Sequence, residues 1–387
     1  MTSRDFGPYF FGNALSASGG WFHNLAAAIL IYRLTGSELL LGVLAFSQFS
    51  PVLLLAPWAG RAADRFDRRR LVIAVQSVAA CLAALVAVLA WAGKATAPAV
   101  IGISAGLGIC MAFSIPAASA LLASLVSRED LPTAVGLNSM TYNLARATGP
   151  ALAGLVIANV SIPAAFAMNS VSYLALIAGI AVSRPRRTER VRGTRFRDSL
   201  RLLRAEPRLA ALLAIVMLVG FASDPINTLA PAFAEEFGRP DTYGGFIIGV
   251  FGAGAVTAAF TLAGRIAGSR QRLAVTLTLL GAGVAGFALT PWLPLALAIL
   301  FVGGFGYLAS NTAATTRLQL GVEDHQRGRI MALWSIAFLG LRPFASIVDG
   351  AIAAAVGVRA AGVVLALPAL AGAVVVAWTI RRAESSS

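Results

Sequence analysis

The chain has 387 residues, of which 58% are hydrophobic and only 12% are charged. Because soluble domains carry about 25% charged residues, this composition excludes a soluble protein and indicates an integral membrane protein. The formal charge of +14 would suggest nucleic-acid binding in a soluble protein, but here the arginines cluster in alternate loops between apolar stretches. That distribution indicates membrane topology and excludes a nucleic acid as partner.

Twelve apolar stretches follow one another along the chain, each long enough to cross a hydrocarbon core of about 30 Å as a helix. We predict spans at 10–33, 39–60, 71–93, 97–126, 132–157, 162–183, 209–232, 243–267, 273–291, 294–318, 328–354 and 358–380. The predicted fold class is therefore an all-α integral membrane protein with twelve transmembrane helices.

Basic residues are concentrated in the loops that follow even-numbered spans. Those loops hold Arg61 to Arg70, Arg128, the segment 184–208, Arg265 to Arg272, and Arg317 to Arg329. The loops after odd-numbered spans hold only Arg33, Lys94, Arg239 and Arg359. Cytoplasmic loops carry an excess of Lys and Arg, so we expect a multi-pass protein of the cytoplasmic (inner) membrane with both termini cytoplasmic.

The longest polar stretch, 184–208, divides the chain into two halves. We predict a six-helix bundle over 1–183, a cytoplasmic basic linker over 184–208 and a second six-helix bundle over 209–387. The linker is either a short amphipathic helix that binds anionic lipid or a solvated topology anchor, which we favour. A weak repeat supports two halves, because Gly60-Arg61 is echoed by Gly264-Arg265, and Gly149-Pro150 by Arg342-Pro343.

The loop between the second and third spans combines a glycine, an acid and several arginines. Gly60 would let two helices approach closely, and the Asp64 carboxylate could face the start of the eleventh span near Gly328 and pair with an arginine. A basic loop that serves topology alone does not require the acid. We therefore predict a gate that closes in one state and opens in another, formed by Gly60, Asp64, Arg65, Arg68 and Arg69.

The fifth span carries small residues and a proline at regular intervals: Gly136, Ala145, Gly149, Pro150 and Gly154. Gly and Ala permit tight helix contact, and proline bends a helix because it removes a backbone hydrogen bond. An ordinary small-residue packing face is the alternative interpretation.

Ionisable residues inside spans are costly in lipid and are functional candidates. They are Arg146, Asp224, Arg342, Asp349 and His23. We expect the two arginines and two aspartates to neutralise one another. Asp224 is the proposed proton-coupling carboxylate, since burial favours its neutral form and a nearby arginine its charged form; a static ion pair is the alternative. His23 is either a proton carrier or, as we favour, a packing residue.

Polar and aromatic residues at membrane depth are candidates for the wall of a central cavity. The polar candidates are Asn138, Tyr142, Asn143, Asn227 and Asn311, with Trp334 as an aromatic one. Cys81 and Cys110 lie in apolar spans and are predicted to be small core residues. The chain has no phosphate-binding loop and no metal-ligand spacing, so we predict no cofactor and no ATPase.

These segments resemble the major facilitator superfamily of transporters. The loop Gly60 to Arg70 resembles that superfamily's gating loop, with Asp67 where many members have Gly, and the fifth span resembles the antiporter motif of its exporters, with Ala at two usual Gly positions. Phe113 to Ala118, Asn138 to Pro150 and Asp224 to Leu229 resemble its transmembrane secretion effector branch, which includes enterobactin-exporter-like and macrolide-efflux-like proteins.

The resemblance implies two pseudo-symmetric six-helix bundles that alternate access to a central cavity. It implies proton-coupled export of a small molecule such as a drug, a siderophore or a metabolite, by a functional monomer whose partners are its substrate, protons and the bilayer. Uptake or facilitated diffusion without proton coupling remains the alternative, and a membrane-embedded enzyme or receptor is the rival from another class.

Overall fold

The structure, a computed structural model, describes residues 6–127, 129–183, 203, 206–262, 270–323 and 326–385. Regular structure in these residues is helical throughout. The first half contains α1 Phe6–Thr35, α2 Glu38–Leu54, α3 Ala56–Arg65, α4 Arg68–Trp91, α5 Ala97–Leu125, α6 Leu131–Asn159 and α7 Ile162–Val182. The second half contains α8 Pro207–Thr228, α9 Ala230–Glu236, a 3₁₀ turn Asp241–Tyr243, α10 Gly244–Leu262, α11 Arg270–Leu289, α12 Leu293–Leu320, α13 Arg327–Leu339, α14 Arg342–Val356 and α15 Val358–Ser385.

Each of the twelve predicted spans coincides with one helix or with a broken pair. In the described ranges, ten helical stretches are long and apolar enough to cross a membrane, and α2 with α3, bent by 53°, makes an eleventh. The remaining segment is α6, whose 29 residues are long enough but include Asn138, Asn143 and Arg146. The all-helical membrane fold is confirmed, and the count of twelve stays a prediction at α6.

Three predicted spans are broken, and a proline follows each break. Pro57, Pro231 and Pro343 lie in the first turns of α3, α9 and α14. Proline has no backbone N–H to donate to the preceding turn but is well accommodated where a helix begins. A new helix therefore begins at each of these prolines, and between α2 and α3 the chain also bends by 53°.

The two halves repeat one packing pattern. In the first half, α1 packs against α6 and α7, α4 packs against α5 and α7, and α2 packs against α5. In the second half, α8 packs against α14 and α15, α11 packs against α12 and α15, and α10 packs against α12. These pairs correspond one to one, so the fold consists of two pseudo-symmetric bundles. The domain boundaries stay a prediction, because most of the linker 184–208 lies outside the described residues, as do Arg128 and Gly264-Arg265.

The halves meet along two seams, α2 with α14 and α6 with α10. For reference, we call the side of the bundle where α1 ends the Arg33 end, and the side where α3 ends the Asp64 end. Cys110 is buried as predicted, but the prediction of a core position for Cys81 was wrong, because its side chain is exposed on α4. An apolar face of a membrane helix can point to lipid, so hydropathy alone does not assign a core position.

Candidate functional site: two ends and a charged centre

An ion pair joins the two halves at the Arg33 end. Arg33, near the end of α1, donates from Nε to Asp241 Oδ2 at 2.5 Å and from Nη2 to Asp241 Oδ1 at 2.7 Å. This is the bidentate geometry that makes Arg–carboxylate pairs strong and directional. The adjacent Tyr32 hydroxyl donates to Glu235 Oε2 at 3.0 Å. Tyr32 and Arg33 of α1 therefore both bind acids in the segment between α8 and α10.

Glycines bring both seams into backbone contact at this end. A Cβ added to Gly350 of α14 would lie 2.8 Å from the Glu38 carbonyl oxygen and 3.1 Å from Gly42 Cα, both in α2. On the other seam, a Cβ on Gly154 would lie 2.8 Å from the Thr242 carbonyl oxygen and 3.4 Å from Gly245 Cα. Since real Cβ atoms need more room, the Arg33 end closes because these positions are glycine.

The Asp64 end is open by comparison. The substantial contacts of α3 are with α2, α4 and α5, all in its own half. Asp64 is exposed and forms no ion pair with Arg65 or Arg68 within the described residues. A Cβ on Gly60 would meet no atom within 4 Å, so the predicted close approach is not made in this conformation.

Two other residues of the loop around the predicted gate, Asp67 and Arg69, have local structural roles. Asp67 caps α4, because its Oδ1 accepts from the Arg70 backbone N–H at 2.8 Å. Arg69 donates from Nη2 to the Ala181 carbonyl oxygen at the end of α7, at 2.5 Å. The loop is thus anchored within the first half, and its gating role stays a prediction.

The exposure of α6 also distinguishes the two ends. Between Val135 and Leu144 the exposed positions spread around more than half of the helix circumference, at about 100° per residue. Beyond Gly149 the exposed side chains of Leu152 and Leu155 lie on a single face. The first half of α6 is therefore accessible from more than one side, as expected for a helix that borders an opening, and Tyr142, 48% exposed, lies in this part.

A cluster of three ionisable residues lies inside the second half. Asp224 of α8 is fully buried and accepts from Arg342 Nε at 3.1 Å and from the Thr228 hydroxyl at 2.9 Å. The Arg342 guanidinium also lies 4.5 Å from the ring centre of Phe49, in α2 of the other half. The carboxyl of Asp349, on α14, lies close enough to Asp224 for the two acids to interact directly.

Asp349 is completely buried, and neither of its carboxylate oxygens accepts a hydrogen bond from a described residue. Two carboxyl groups in contact form a hydrogen bond only when one of them carries a proton. The cluster has two acids and one arginine, so a proton on the acid pair also balances its charge. We call Asp224, Asp349 and Arg342 the carboxyl cluster.

Arg146 is not part of this cluster. It lies on the α6 seam, where it donates from Nη1 to the Tyr307 hydroxyl of α12, and its guanidinium carbon lies 4.3 Å from the centre of the Tyr307 ring. The expectation that two arginines neutralise two aspartates was wrong for Arg146. Its helix belongs to the other half, and its neighbours there are neutral.

An aromatic row extends from Tyr307 across the second half. Phe251 lies 5.4 Å and Phe338 6.5 Å from the Tyr307 ring, and Trp334 stacks on Phe338 at 5.0 Å. Trp334 Nε1 and the side-chain oxygen of Asn311 are buried without hydrogen-bond partners in the described residues. Buried polar atoms without partners are rare, so these two predicted cavity residues have unused hydrogen-bonding capacity.

The other predicted cavity residues are spread more widely. Asn138 accepts from Asn13 at 2.7 Å inside the first half, whereas Asn227 donates to the Ser223 carbonyl oxygen at 2.8 Å on α8. The side chain of Asn143 lies outside the described residues. His23 is buried, 3.2 Å from the Ser104 hydroxyl and tilted by 55° against the Phe166 ring at 5.3 Å, and this geometry favours the packing interpretation over a proton carrier.

The small residues of the fifth span pack as a set, with one exception. Ala145 is buried, a Cβ on Gly149 would lie 2.8 Å from Trp21 Cβ, and Gly154 contacts the start of α10. The α6 helix continues through Pro150. Gly136 differs, because a Cβ there would meet nothing within 4 Å. The antiporter role of this segment stays a prediction.

The family model of transmembrane secretion effectors matches residues 3–387 of the chain. The chain belongs to this family of the major facilitator superfamily. The predicted superfamily and branch are thereby confirmed, and the protein is a membrane transporter rather than an enzyme. A small-molecule substrate and a bilayer environment follow for this transporter.

Two relatives and one solved structure illustrate the likeness. The transporter is 31% identical to the staphyloferrin A transporter of Staphylococcus aureus, over 43% of this chain and 42% of that protein. It is 27% identical to the multidrug efflux pump Tap of Mycolicibacterium fortuitum, over 99% and 98% of the two chains. Its fold matches a bacterial homologue of the human lysosomal transporter Spinster with a TM-score of 0.76 at 16% identity, over 97% of this chain and 96% of that one.

Three residues of the site were not predicted from sequence. Arg33 was counted only as a sparse loop charge, and Asp241 and Tyr307 were not singled out. Asp241 follows Pro240 at the start of the 3₁₀ turn, a position where an acid is common in any loop. The sequence did contain one signal for this pair. Arg33 and Asp241 are opposite charges in two weakly charged loops that lie on the same predicted side of the membrane.

Proposed function

We propose that this transporter is a proton-coupled exporter of a small molecule, working as a monomer in the cytoplasmic membrane by alternating access. The carboxyl cluster carries the proposal, because Asp349 is fully buried, its oxygens have no donor among the described residues, and such an acid is stabilised by a proton. The relative named as a multidrug efflux pump supports export as the direction.

The distribution of basic residues supports an orientation with the Asp64 end and both termini in the cytoplasm. The conformation is then open to the cytoplasm and closed outside. Substrate binds from the cytoplasm or the inner leaflet. Closing the Asp64 end would bring Asp64 towards the second half, while the Arg33–Asp241 pair breaks at the outer end.

The position of Asp349 supports the coupling step. It lies on α14 between Ser346 and Gly350, the two residues that meet Gly42 at the α2 seam. When that seam separates, Asp349 becomes accessible to outside water and takes up a proton. In the cytoplasm-facing state the pair releases this proton to the cytoplasm. One proton then enters for each return of the empty carrier.

Everted membrane vesicles test the proposal. A panel of chemically diverse toxins first identifies a substrate by comparing growth of cells with and without the protein. Uptake of that substrate into everted vesicles should stop when the proton gradient is collapsed, and Asp349→Asn should abolish gradient-driven uptake but keep substrate exchange. Uptake that is indifferent to the gradient would contradict proton coupling and leave facilitated transport as the function.

A further inference from the structure

Arg146 is a cation inside the membrane-spanning region that has no counter-charge among the described residues. Within the described part of the chain its partners are the hydroxyl and the ring of Tyr307, both neutral, and no carboxylate pairs with it. The other arginine at this depth, Arg342, is paired with Asp224. A charged side chain at membrane depth is costly and is retained where it contacts a partner.

The surroundings of Arg146 form a recess that could hold that partner. A small cleft with about 30 Å³ of free volume, open on one side, lies between α6, α10 and α12. Arg146, Tyr307 and Phe251 line it, together with the small residues Gly252, Ala255 and Ala259 of α10. The guanidinium is only partly buried. The cleft thus combines one positive charge with an apolar floor.

The aromatic row continues from this cleft. It leads from Tyr307 through Phe338 to Trp334, whose buried Nε1 is an unused donor, and Asn311 one turn along α12 from Tyr307 offers an unused acceptor. The Tyr307 and Phe251 rings that line the cleft offer aromatic contact to an apolar body. The unused donor and acceptor provide hydrogen bonds to its polar substituents.

From these contacts we propose that Arg146 binds the acidic group of the transported molecule, and that the substrate class is amphipathic organic anions with a flat aromatic or apolar body. This inference rests on the proposed export function and names the substrate class of the same cavity. A guanidinium is suited to the task because it binds carboxylates with two parallel hydrogen bonds and stays charged in an apolar site.

Three naphthalene compounds with the same ring test the inference: naphthalene-2-carboxylate, its neutral 2-carboxamide, and 2-naphthylmethylammonium. Binding to the full-length protein in nanodiscs is measured by titration calorimetry against empty nanodiscs. The wild type should bind the carboxylate about ten- to a hundredfold more tightly than the amide, the range of a charge-assisted hydrogen bond. Arg146→Gln should remove this preference, and Arg146→Lys should keep part of it.

Two further variants separate a binding role from a structural one. Tyr307→Phe removes the hydrogen bond that Arg146 donates to the second half but keeps the ring and the guanidinium. The carboxylate preference should therefore persist. If Arg146 acted only through Tyr307, this variant would behave like Arg146→Gln and the proposal would fail. Arg359→Gln is the matched control, because Arg359 also stacks on an aromatic ring, 5.0 Å from Phe237, but lies away from the cleft.

The outcomes distinguish this inference from the export proposal. Equal or weaker binding of the carboxylate by the wild type, or no binding of it at all, overturns the anion site, whatever the vesicles show. A carboxylate preference that depends on Arg146, in a protein whose transport ignores the proton gradient, supports the anion site and contradicts only the coupling mechanism.

Discussion

The carboxyl cluster gives its two aspartates different structural roles. Asp224 accepts hydrogen bonds from Arg342 and Thr228, so it is the member that neutralises the arginine. Asp349 has no donor among the described residues and lies against Asp224, so it is the member that is neutral when the pair holds a proton. Replacing either residue by asparagine should therefore have different consequences for stability and for coupling.

We expect Asp224→Asn to lower the melting temperature strongly and Asp349→Asn to change it little. Removing one partner of a buried ion pair costs about 3–5 kcal/mol, because the other charge is left unpaired. An asparagine at 349, in contrast, imitates the protonated acid and can donate to Asp224. Thermal unfolding followed by tryptophan fluorescence in detergent at neutral pH measures both.

Thr228→Val serves as the control for that experiment, since it removes one hydrogen bond to the same charged carboxylate and should cost about 1.5–3 kcal/mol, less than the loss of the ion pair. Equal melting temperatures for the two asparagine variants would show that the aspartates share the arginine. The assignment of the proton to Asp349 would then be wrong.

The Arg33–Asp241 pair predicts a compensating charge exchange. Arg33→Asp alone places a second acid beside Asp241, whose side chain is only 9% exposed. Because the two negative charges repel each other at the seam, this variant should impair transport. The double variant Arg33→Asp with Asp241→Arg restores opposite charges and should recover a large part of the activity. Transport rates of the single and double variants, at equal amounts of protein in the membrane, measure this.

Lys94→Asp is the matched charge reversal in a loop on the same side. Lys94 is exposed and has no ion pair in the described residues, so its reversal should leave transport close to wild type. Failure of the double variant to exceed either single variant would indicate that Arg33 acts through contacts other than Asp241.

Sequence could identify the charged residues at membrane depth but not their pairing. Asp224, Arg342 and Asp349 come together because α8 and α14 pack in one half, whereas Arg146 lies across the seam from them. Pairing depends on how each helix is rotated about its axis. The weak amphipathicity of helices that are apolar on nearly every face leaves that rotation undetermined.

Helix positions were predictable to a larger extent than helix breaks. Within the described residues, eleven of the twelve predicted segments are apolar enough to be membrane spans, counting α2 with α3 as one, as expected where lipid requires every backbone group to be bonded within a helix. The three interrupted spans were predicted as single helices, although Pro57, Pro231 and Pro343 stand at the breaks. A proline such as Pro150 lies inside an unbroken helix, so proline alone does not locate a break.

The α2–α14 seam depends on a glycine in each helix. We expect Gly350→Val to hold the Arg33 end apart, because even its Cβ would lie 2.8 Å from the Glu38 carbonyl oxygen. Spin labels are placed at the exposed residues Leu34 and Val356, which lie on the two halves at this end. Double electron–electron resonance should show a longer distance between them than in the unsubstituted protein. Transport should fall, because the cytoplasm-facing state becomes rare.

Gly102→Val is the control for the seam, because a Cβ on Gly102 of α5 would meet nothing within 4 Å. Its distance distribution should match that of the wild type. An unchanged distribution in Gly350→Val would mean that α2 can move aside without opening the Arg33 end, and the glycine contact would not be what closes it.

As a whole molecule, the transporter is closed at the Arg33 end and open at the Asp64 end. The sequence does not reveal which of its states a structure will show. The same residues must serve both states. Asp64 was predicted as half of a closed gate, yet it is exposed here because its end is open. The Arg33–Asp241 pair at the opposite end, by contrast, is formed in this state and becomes evident only from the structure.

The Arg33–Asp241 pair and the predicted gate at Asp64 lie at opposite ends of the bundle. Their loss is therefore predicted to have opposite effects on access from outside. Ser346, fully buried at the α2 seam, is replaced by cysteine in a background with Cys81→Ala and Cys110→Ala, and labelling by a membrane-impermeant maleimide is followed in intact cells. Arg33→Ala removes a bond that holds the outer end closed, so labelling should accelerate about fivefold to tenfold, equivalent to roughly 1–1.4 kcal/mol. Asp64→Asn should slow it, because the lock that stabilises the outward-open state is lost.

The double variant should label at a rate between those of the two single variants, since each lock shifts the same two-state equilibrium in the opposite direction. Independent local effects would instead let the Arg33→Ala variant label equally fast with or without Asp64. That result would show that the arginines and the acid at the Asp64 end do not hold any state closed, and the loop would then serve topology alone.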